Sequence, residues 1–421
     1  MYSRLAHPDF IAQHRTKPTA FTRTRKLPFQ TLCLFLLNLV KGASQSELDD
    51  FFTVLHQQDE ETRFITASAF SQAREHLKHT AFEALNAEFN KQYYQLNITK
   101  RWRGHRLLAV DSSTLRLPES PALTDYFGGQ VNANNLVTMA RLSTCFDISS
   151  GLTIDAQIAP YKDSERDLAA NHLAKTQPND VLIYDRGYPA FWLFALHRGL
   201  NRDFCMRAST AWSPSIEEFI ASSEVDALIE FHPNHSSKTQ CNNLGLSLEP
   251  FLLRVLKIAL PTGETEILFT TLLDAERYPH EDFYDLYGRR WGIEVDYHFK
   301  KNKLEIENFT GLSVHAIKQD IAAKVLTHNI AMAAASCAQQ RVKKRYAHRE
   351  HAYKINVSHG LSAMKHLLVK MVSRGQFERL FEHYIALLLD TVCAVRPGRS
   401  FVRSNAKIRK IRFYISAKRA R

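Results

Sequence analysis

Three acidic residues, with a phenol and two cations spaced around one of them, are the residues of this 421-residue chain whose types and positions could do chemistry. Asp111 closes the apolar run Arg106-Leu-Leu-Ala-Val, and Asp185 closes Val181-Leu-Ile-Tyr, so each acid is expected at the end of a buried strand. Glu294 lies in the stretch 281–303, which reads as one helix. Projected at about 100° per residue, Tyr287, Arg290, Glu294 and Lys301 share an arc of about 60° on that helix. Asp285, Arg289, Asp296, Lys300 and Lys303 fall opposite and read as the solvent side, while Leu286, Ile293, Tyr297 and Leu304 read as the core anchor. Charges off the solvated face are rarely buried unless paired or liganded. An i,i+4 pair between Arg290 and Glu294 would account for the stripe as a structural feature.

Carboxylates delivered by two strand ends and a helix raise one another's pKa and cannot all stay ionised without a cation. Oxygen ligands suit a hard divalent ion, and Mg²⁺ suits carboxylates combined with phosphate oxygens. Two such ions about 3.5–4 Å apart would activate a water or a 3′-hydroxyl and stabilise the leaving oxygen of an in-line phosphoryl displacement. Arg290 and Lys301 would then hold DNA phosphates beside the reaction.

The elements that must position these groups follow from pattern. The first hundred residues alternate at helical spacing over 28–40, 44–55 and 68–89, with Ser44 and Ser46 as caps and Gly42 as a stop. From Arg101 the texture becomes that of strands, with Leu136 to Phe146 and Leu152 to Ile158 forming a meander across Gly151. A helix over 164–175 opens on Ser-Glu-Arg-Asp, and another covers 190–198. Between 209 and 265, short strands (227–231 and 252–259) flank His232 to Asn243, which reads as an exposed loop. A strand over 266–273 leads into the Glu294 helix, and from Val314 the chain is helical again.

Composition narrows the class of partner. Lys plus Arg is 55 against 43 Asp plus Glu, for a net charge of +12, and such a surface attracts polyanions, nucleic acid first. The segment Arg396 to Arg421 is rich in Lys and Arg and carries no acid, so it is expected to pull on DNA without reading its sequence. Six cysteines scattered without a C-x-x-C pair indicate neither a disulfide framework nor a thiolate zinc site and fit a reducing cytosol. Nineteen histidines invite a metal search, but His76 with His79 and His348 with His351 lack a carboxylate set and read as surface residues. No signal-peptide core is visible, and Leu32 to Val40 is about half the length that spans a bilayer, so no membrane is expected.

The spacing Tyr287-x2-Arg290-x3-Glu294-x6-Lys301 resembles the signature of the DDE transposases of bacterial insertion sequences, in the subgroup named after insertion sequence 4. Leu108-Ala-Val-Asp111-Ser-Ser-Thr-Leu-Arg-Leu-Pro118 resembles the first-aspartate block of that family, Tyr184-Asp185-Arg-Gly-Tyr188 the second, and Glu165-Arg-Asp-Leu the helix between them. Ser112 stands where the family often has Gly after the first Asp. The resemblance covers roughly residues 100 to 325.

It implies an α/β protein with a ribonuclease-H-like core, interrupted by a β-rich insertion and flanked by helical regions. The expected boundaries are a DNA-binding domain over 1–98, the core over 99–208 plus 266–325, the insertion over 209–265, and a helical C-terminal region with its basic tail over 326–421. Asp111, Asp185 and Glu294 are the implied ligands of two Mg²⁺ ions, with Mn²⁺ as a substitute, and Tyr287, Arg290 and Lys301 the implied DNA contacts. The implied activity is cut-and-paste transposition by a homodimer on double-stranded DNA, at terminal inverted repeats and target, in the bacterial cytoplasm at the nucleoid. Several members of the family pass through a hairpinned end with a base stacked on an aromatic residue, and Trp291 matches a tryptophan found in them. Off the main stripe, Trp291 is expected in the core. A ribonuclease-H-like nuclease that does not join, and a domesticated DNA-binding protein without catalysis, are the rival readings.

Overall fold

Two apolar runs, Leu107–Val110 and Val181–Tyr184, are buried at every position, the composition of strands covered on both faces. In chain order the strands are β1 (Arg106–Arg116), β2 (Gly129–Asn132), β3 (Asn135–Asp147), β4 (Thr153–Pro160), β5 (Asp180–Tyr184), β6 (Asp203–Ala208), β7 (Asp226–Phe231), β8 (Phe251–Ala259), β9 (Thr265–Thr270), β10 (Tyr353–Ile355) and β11 (Val392–Ala394). The computed structural model describes residues 2–23, 25–96, 100–132, 135–261 and 263–396. Apart from Arg396, the basic tail lies outside the described residues.

The chain forms two compact units. Asn97–Thr114 with Arg141–His298 make one, and Met1–Leu96, Leu115–Ala140 and the chain from Phe299 make the other. In the first, β3, β1, β5, β6, β9, β8 and β7 are successive neighbours in one sheet, and β4 pairs with β3. β1, β5 and β6 run parallel, while β6, β9, β8 and β7 alternate in direction. Side chains of a strand point alternately to its two faces. Leu108, Val110, Leu182, Tyr184, Phe204 and Met206 therefore meet the helices Glu165–Leu173 and Phe191–Gly199 on one side. Leu107, Val181, Ile183 and Cys205 meet Phe283, Leu286 and Tyr287 on the other. This is a mixed sheet with helices on both faces, an α/β arrangement.

The stretch 209–265 contributes two strands and two helices, Pro214–Ala221 and His235–Leu244, and its strands β7 and β8 extend the same sheet. The second helix replaces the loop expected over 232–243. Asn234 caps it by accepting the Ser237 amide at 2.8 Å, and Gly245 closes it in the left-handed conformation, φ 64°. Its polar sequence anchors through Cys241 alone, too little apolar period to show a helix.

The other unit packs the helices Phe29–Leu37, Ser44–His56, Ala67–Arg74 and Thr80–Leu96 with the long helix Val314–Arg345 around Leu32, Phe35, Phe51, Phe70, Phe82 and Leu326. The single helix expected over 68–89 is two, because the backbone between them is bonded elsewhere: Thr16 N–H donates to the His76 carbonyl at 2.9 Å and Lys78 N–H to that of His14 at 2.8 Å. Arg74, 2% exposed, donates to Gln319, Thr310 and Asp320 at 2.7–2.9 Å, so its buried charge is fully answered. Among the described residues Val314–Arg345 is the one helix long and apolar enough to cross a bilayer, and 72% of its apolar window is buried in the protein.

Register in the α/β unit is pinned by one ion pair. Arg106 and Asp180 are aligned partners at the start of β1 and β5, and the guanidinium is bidentate on the carboxylate, at 2.8 and 2.6 Å. Both side chains are buried, 7% and 2% exposed. Arg106→Leu or Asp180→Leu alone is expected to cost about 3–5 kcal/mol in urea unfolding, because one buried charge is orphaned. The double substitution should recover most of that loss. Single costs under about 1 kcal/mol would mean the pair does not hold the register.

Candidate active site

The alignment that begins at Arg106 and Asp180 runs to Val110 opposite Tyr184. One residue further along each strand stand Asp111 and Asp185. Both continue the alternate positions (Leu107 and Ala109; Val181 and Ile183) whose faces are covered by the helix bearing Tyr287. Asp185 follows the end of β5, as expected, in a turn where Tyr188 N–H donates to the Asp185 carbonyl at 3.2 Å. Asp111 does not end its strand: β1 continues through Ser112 to Arg116. No turn forms at Ser112, whose amide instead donates to Asp111 Oδ1 at 2.8 Å.

The expected single helix over 281–303 is two, Asp282–Gly288 and Trp291–Asn302, joined at Arg289 and Arg290. Tighter i→i+3 bonds carry the joint, Arg290 N–H to Tyr287 and Gly292 N–H to Arg289, both at 3.0 Å. A uniform projection across that joint loses phase. Asp285 and Arg289 are exposed and paired at 2.9 Å, whereas Asp296 and Lys300, expected on the same solvent face, are buried at 6% and 0% exposure. Trp291, expected in the core, is 53% exposed.

The joint delivers two side chains to the acids. Tyr287 donates its hydroxyl to Asp185 Oδ1 at 3.3 Å. Arg290, 5% exposed, donates from Nη2 to Glu294 Oε1 at 2.9 Å, and its Nη1 stands 4.0 Å from Asp111 Oδ2. Burial alone would lower the Arg290 guanidinium, but Tyr287, Asp185 and Glu294 together hold it above its ordinary value. Burial pushes the Tyr287 phenol up, so it stays a donor. Lys301 sits half-buried on the last turn of the second helix.

Asp111 is the perturbed acid. Burial pushes its carboxyl up to about 6; the Ser112 amide and Arg290 pull against that, and Asp185 and Glu165 add to the rise. The guanidinium 4.0 Å away does not offset the burial, and the groups here able to hold a further cation are carboxylates. That chemistry fits a hard divalent cation. As arranged here Glu294 is committed to Arg290, and among the described residues no three His, Cys, Asp or Glu side chains converge closely enough to hold an ion. Glu294 would have to turn from Arg290 to complete a three-carboxylate set.

Several contributors escaped sequence reasoning. Tyr297, read only as a core anchor, places its hydroxyl 2.8 Å from the Asp111 carbonyl and 3.0 Å from that of Leu142, and accepts from Thr144 at 3.0 Å. One buried phenol thus ties the Glu294 helix to the backbone of Asp111. Arg166 donates to the Gly187 carbonyl at 2.9 Å and steadies the turn after Asp185. Ser143, His172 and Asp155 form a hydrogen-bonded row at 3.0 and 2.6 Å, but Ser143 and His172 are fully buried, so the row braces β3, β4 and the Glu165–Leu173 helix and meets no substrate. No sequence spacing signals either set, since the partners come from separate elements.

A family model described as the transposase DDE domain matches residues 102–330. The chain is 24% identical over 271 residues to the transposase InsG for insertion sequence element IS4 of Escherichia coli (strain K12), a match covering 63% of this chain and 60% of that protein. It is 30% identical over 124 residues to the InsZ protein of the same organism, covering 28% of this chain and 40% of InsZ. The chain therefore spans less than two thirds of the length of these relatives. Among solved structures, a piggyBac transposase synaptic complex with hairpin DNA aligns with 95% of this chain and 86% of its own at 8% identity and a TM-score of 0.42, a likeness too slight to carry an argument.

The raised Asp111 carboxyl makes stability depend on pH. Its folded value of about 6 exceeds the ordinary 3.8, so between the two the folded state binds more protons than the unfolded, and stability falls as pH rises through that window. Asp111→Asn removes the burdened charge and is expected to stabilise the chelator-treated protein by about 2–3 kcal/mol at pH 8, with almost no effect below pH ~4. Urea unfolding at the two pH values checks it. An equal effect at both would place the cost elsewhere.

Proposed function

The chain belongs to the transposase DDE-domain family, as a DDE transposase of the insertion-sequence-4 kind, and on that premise we propose that it performs cut-and-paste DNA transposition. Asp111, Asp185 and Glu294 act as ligands for two divalent cations, Mg²⁺ or Mn²⁺. When bound, the ions supply activation of the attacking oxygen and charge stabilisation of the leaving one. In the first step water breaks a phosphodiester at the transposon end and frees a 3′-hydroxyl. In the second, that hydroxyl attacks a target phosphodiester, forming one P–O bond as another breaks.

The observation that carries this reading is the register of β1 on β5, which brings Asp111 and Asp185 each one residue past the Val110–Tyr184 pair, on the face covered by the Tyr287 helix that leads to Glu294. The remaining residues hold and orient. Tyr287 keeps one Asp185 oxygen occupied as an acceptor, and Arg290 keeps Glu294 beside the two aspartates until a stronger cation competes for it. Of the three DNA contacts expected from the signature, Tyr287 and Arg290 are buried against acids and are assigned to positioning those acids beneath the DNA. Lys301 takes the role of a phosphate contact. Residues 99–208 plus 266–325 serve as a ribonuclease-H-like core, 209–265 as its insertion, 1–98 as the DNA-binding region, and 326–421 as the region that dimerises on DNA.

An end-containing duplex incubated with Mg²⁺ tests the proposal. Asp111→Asn, Asp185→Asn and Glu294→Gln should each slow cleavage at least about a thousandfold, the loss of roughly 4 kcal/mol of transition-state stabilisation, with duplex binding retained. Lys301→Ala should keep its thermal stability and lower the slope of log K against log salt by about one unit. Near wild-type nicking by any of the three acid variants removes that residue from the ligand set. Cleavage without joined product would establish a nuclease and overturn transposition.

A further inference from the structure

The loop between the helices Pro8–His14 and Phe29–Leu37 encloses a cavity of about 380 Å³ whose wall is completed by Ala73 and His76. Its polar lining is one-sided. Lys17, Arg23 and Arg25 stand around it with the hydroxyls of Thr19 and Thr22, and among the described residues no acidic one lines it. Several cations elsewhere in this helical unit are answered: Arg4 pairs with Glu88 at 3.6 Å, Arg63 with Asp49 at 3.3 Å and Arg74 with Asp320 at 2.9 Å. Among the described residues, the side chains of Lys17, Arg23 and Arg25 have no hydrogen-bond or ion-pair partner. His76 also offers a buried Nδ1 without a partner. A buried polar atom left unmatched carries a cost that a ligand removes.

The loop is held open rather than collapsed. Thr16 N–H donates to the His76 carbonyl at 2.9 Å, Arg15 donates to the Ala20 carbonyl at 3.2 Å, and the Thr22 hydroxyl donates to the Thr19 carbonyl at 2.9 Å. Phe21 adopts φ 57°, a left-handed conformation that a phenylalanine rarely takes, with its ring edge-on to Phe29 at 5.3 Å. Three like charges around one concavity repel one another, and preorganised donors of this kind match phosphate oxygens.

We propose that this cavity docks the phosphodiester backbone of a DNA strand, with Lys17, Arg23 and Arg25 each answering a phosphate. The proposal rests on the reading of the chain as a DNA transposase, and it assigns these residues to backbone positioning, not to base reading.

The test is fluorescence anisotropy of the full chain with a random-sequence duplex across a KCl series. Removing one cation, as Lys17→Ala, Arg23→Ala or Arg25→Ala, should lower the slope of log K against log salt by about 0.9, and the triple variant by about 2–3. Melting temperature should stay unchanged, because no partner is orphaned. Arg4→Ala, whose guanidinium is occupied by Glu88, is the charge-matched control and should leave the slope unchanged. A wild-type slope in the triple variant overturns the docking site while leaving the transposase reading intact. An equal fall for Arg4→Ala reduces the effect to diffuse attraction and overturns it as well. Competition by inorganic phosphate at constant ionic strength that removes all of the cavity-dependent binding would reassign the cavity to a free anion. Failure of the wild-type chain to bind duplex DNA would remove both readings together.

Discussion

The bidentate pair between Arg106 and Asp180 sets the position of everything that follows in the α/β unit. It fixes which residue of β1 lies opposite which residue of β5, and that alignment carries two acids to neighbouring strand positions. A slip of β1 by one residue would turn Asp111 to the face of Leu182 and Tyr184, away from Asp185 and away from the Glu294 helix. Burial makes the pair specific as well as costly to break. Apolar runs such as Leu-Leu-Ala-Val and Val-Leu-Ile-Tyr have almost no register preference of their own, so one ion pair at the strand start decides between alternatives that the hydrophobic core scarcely distinguishes.

Aligning two carboxylates creates a charge deficit, and the site is organised around it. Arg290 supplies part of the answer from within, bonded to Glu294 and facing Asp111. Asp111 nevertheless stays raised to about 6, so one interior guanidinium does not satisfy the set. Tyr297 keeps the arrangement from relaxing apart by holding the Glu294 helix to the backbone at Asp111. The helical unit presents the converse, cations around a cavity without an acid. Cations in the first case and anions in the second are the partners these imbalances describe.

The α/β class and the strands that carry the two aspartates were legible in the sequence, because apolar runs are properties of single segments. Sequence reasoning failed where a second segment decides. The helix break at Arg289 and Arg290 carries no Pro to announce it, and Gly288 alone does not mark it, so the projected faces drifted out of phase and buried Asp296 and Lys300 were assigned to solvent. The division of the 68–89 helix comes from backbone bonds to Thr16 and His14, far away in sequence. Tyr297 looked like an apolar anchor because the carbonyls that receive its hydroxyl lie on β1 and β3. Side chains that act through partners on other elements leave no local pattern to read.

Direct titration of Mn²⁺ into the full chain, by calorimetry at pH 8 without DNA, tests the central claim that the aligned aspartates form a cation site completed by Glu294. Saturable binding is expected of the wild-type protein, lost in Asp185→Asn and weakened in Glu294→Gln, with Lys301→Ala indistinguishable from wild type. Undiminished Mn²⁺ binding by Asp185→Asn would contradict that claim, because the register of β1 on β5 would then hold two acids together for some purpose other than a metal.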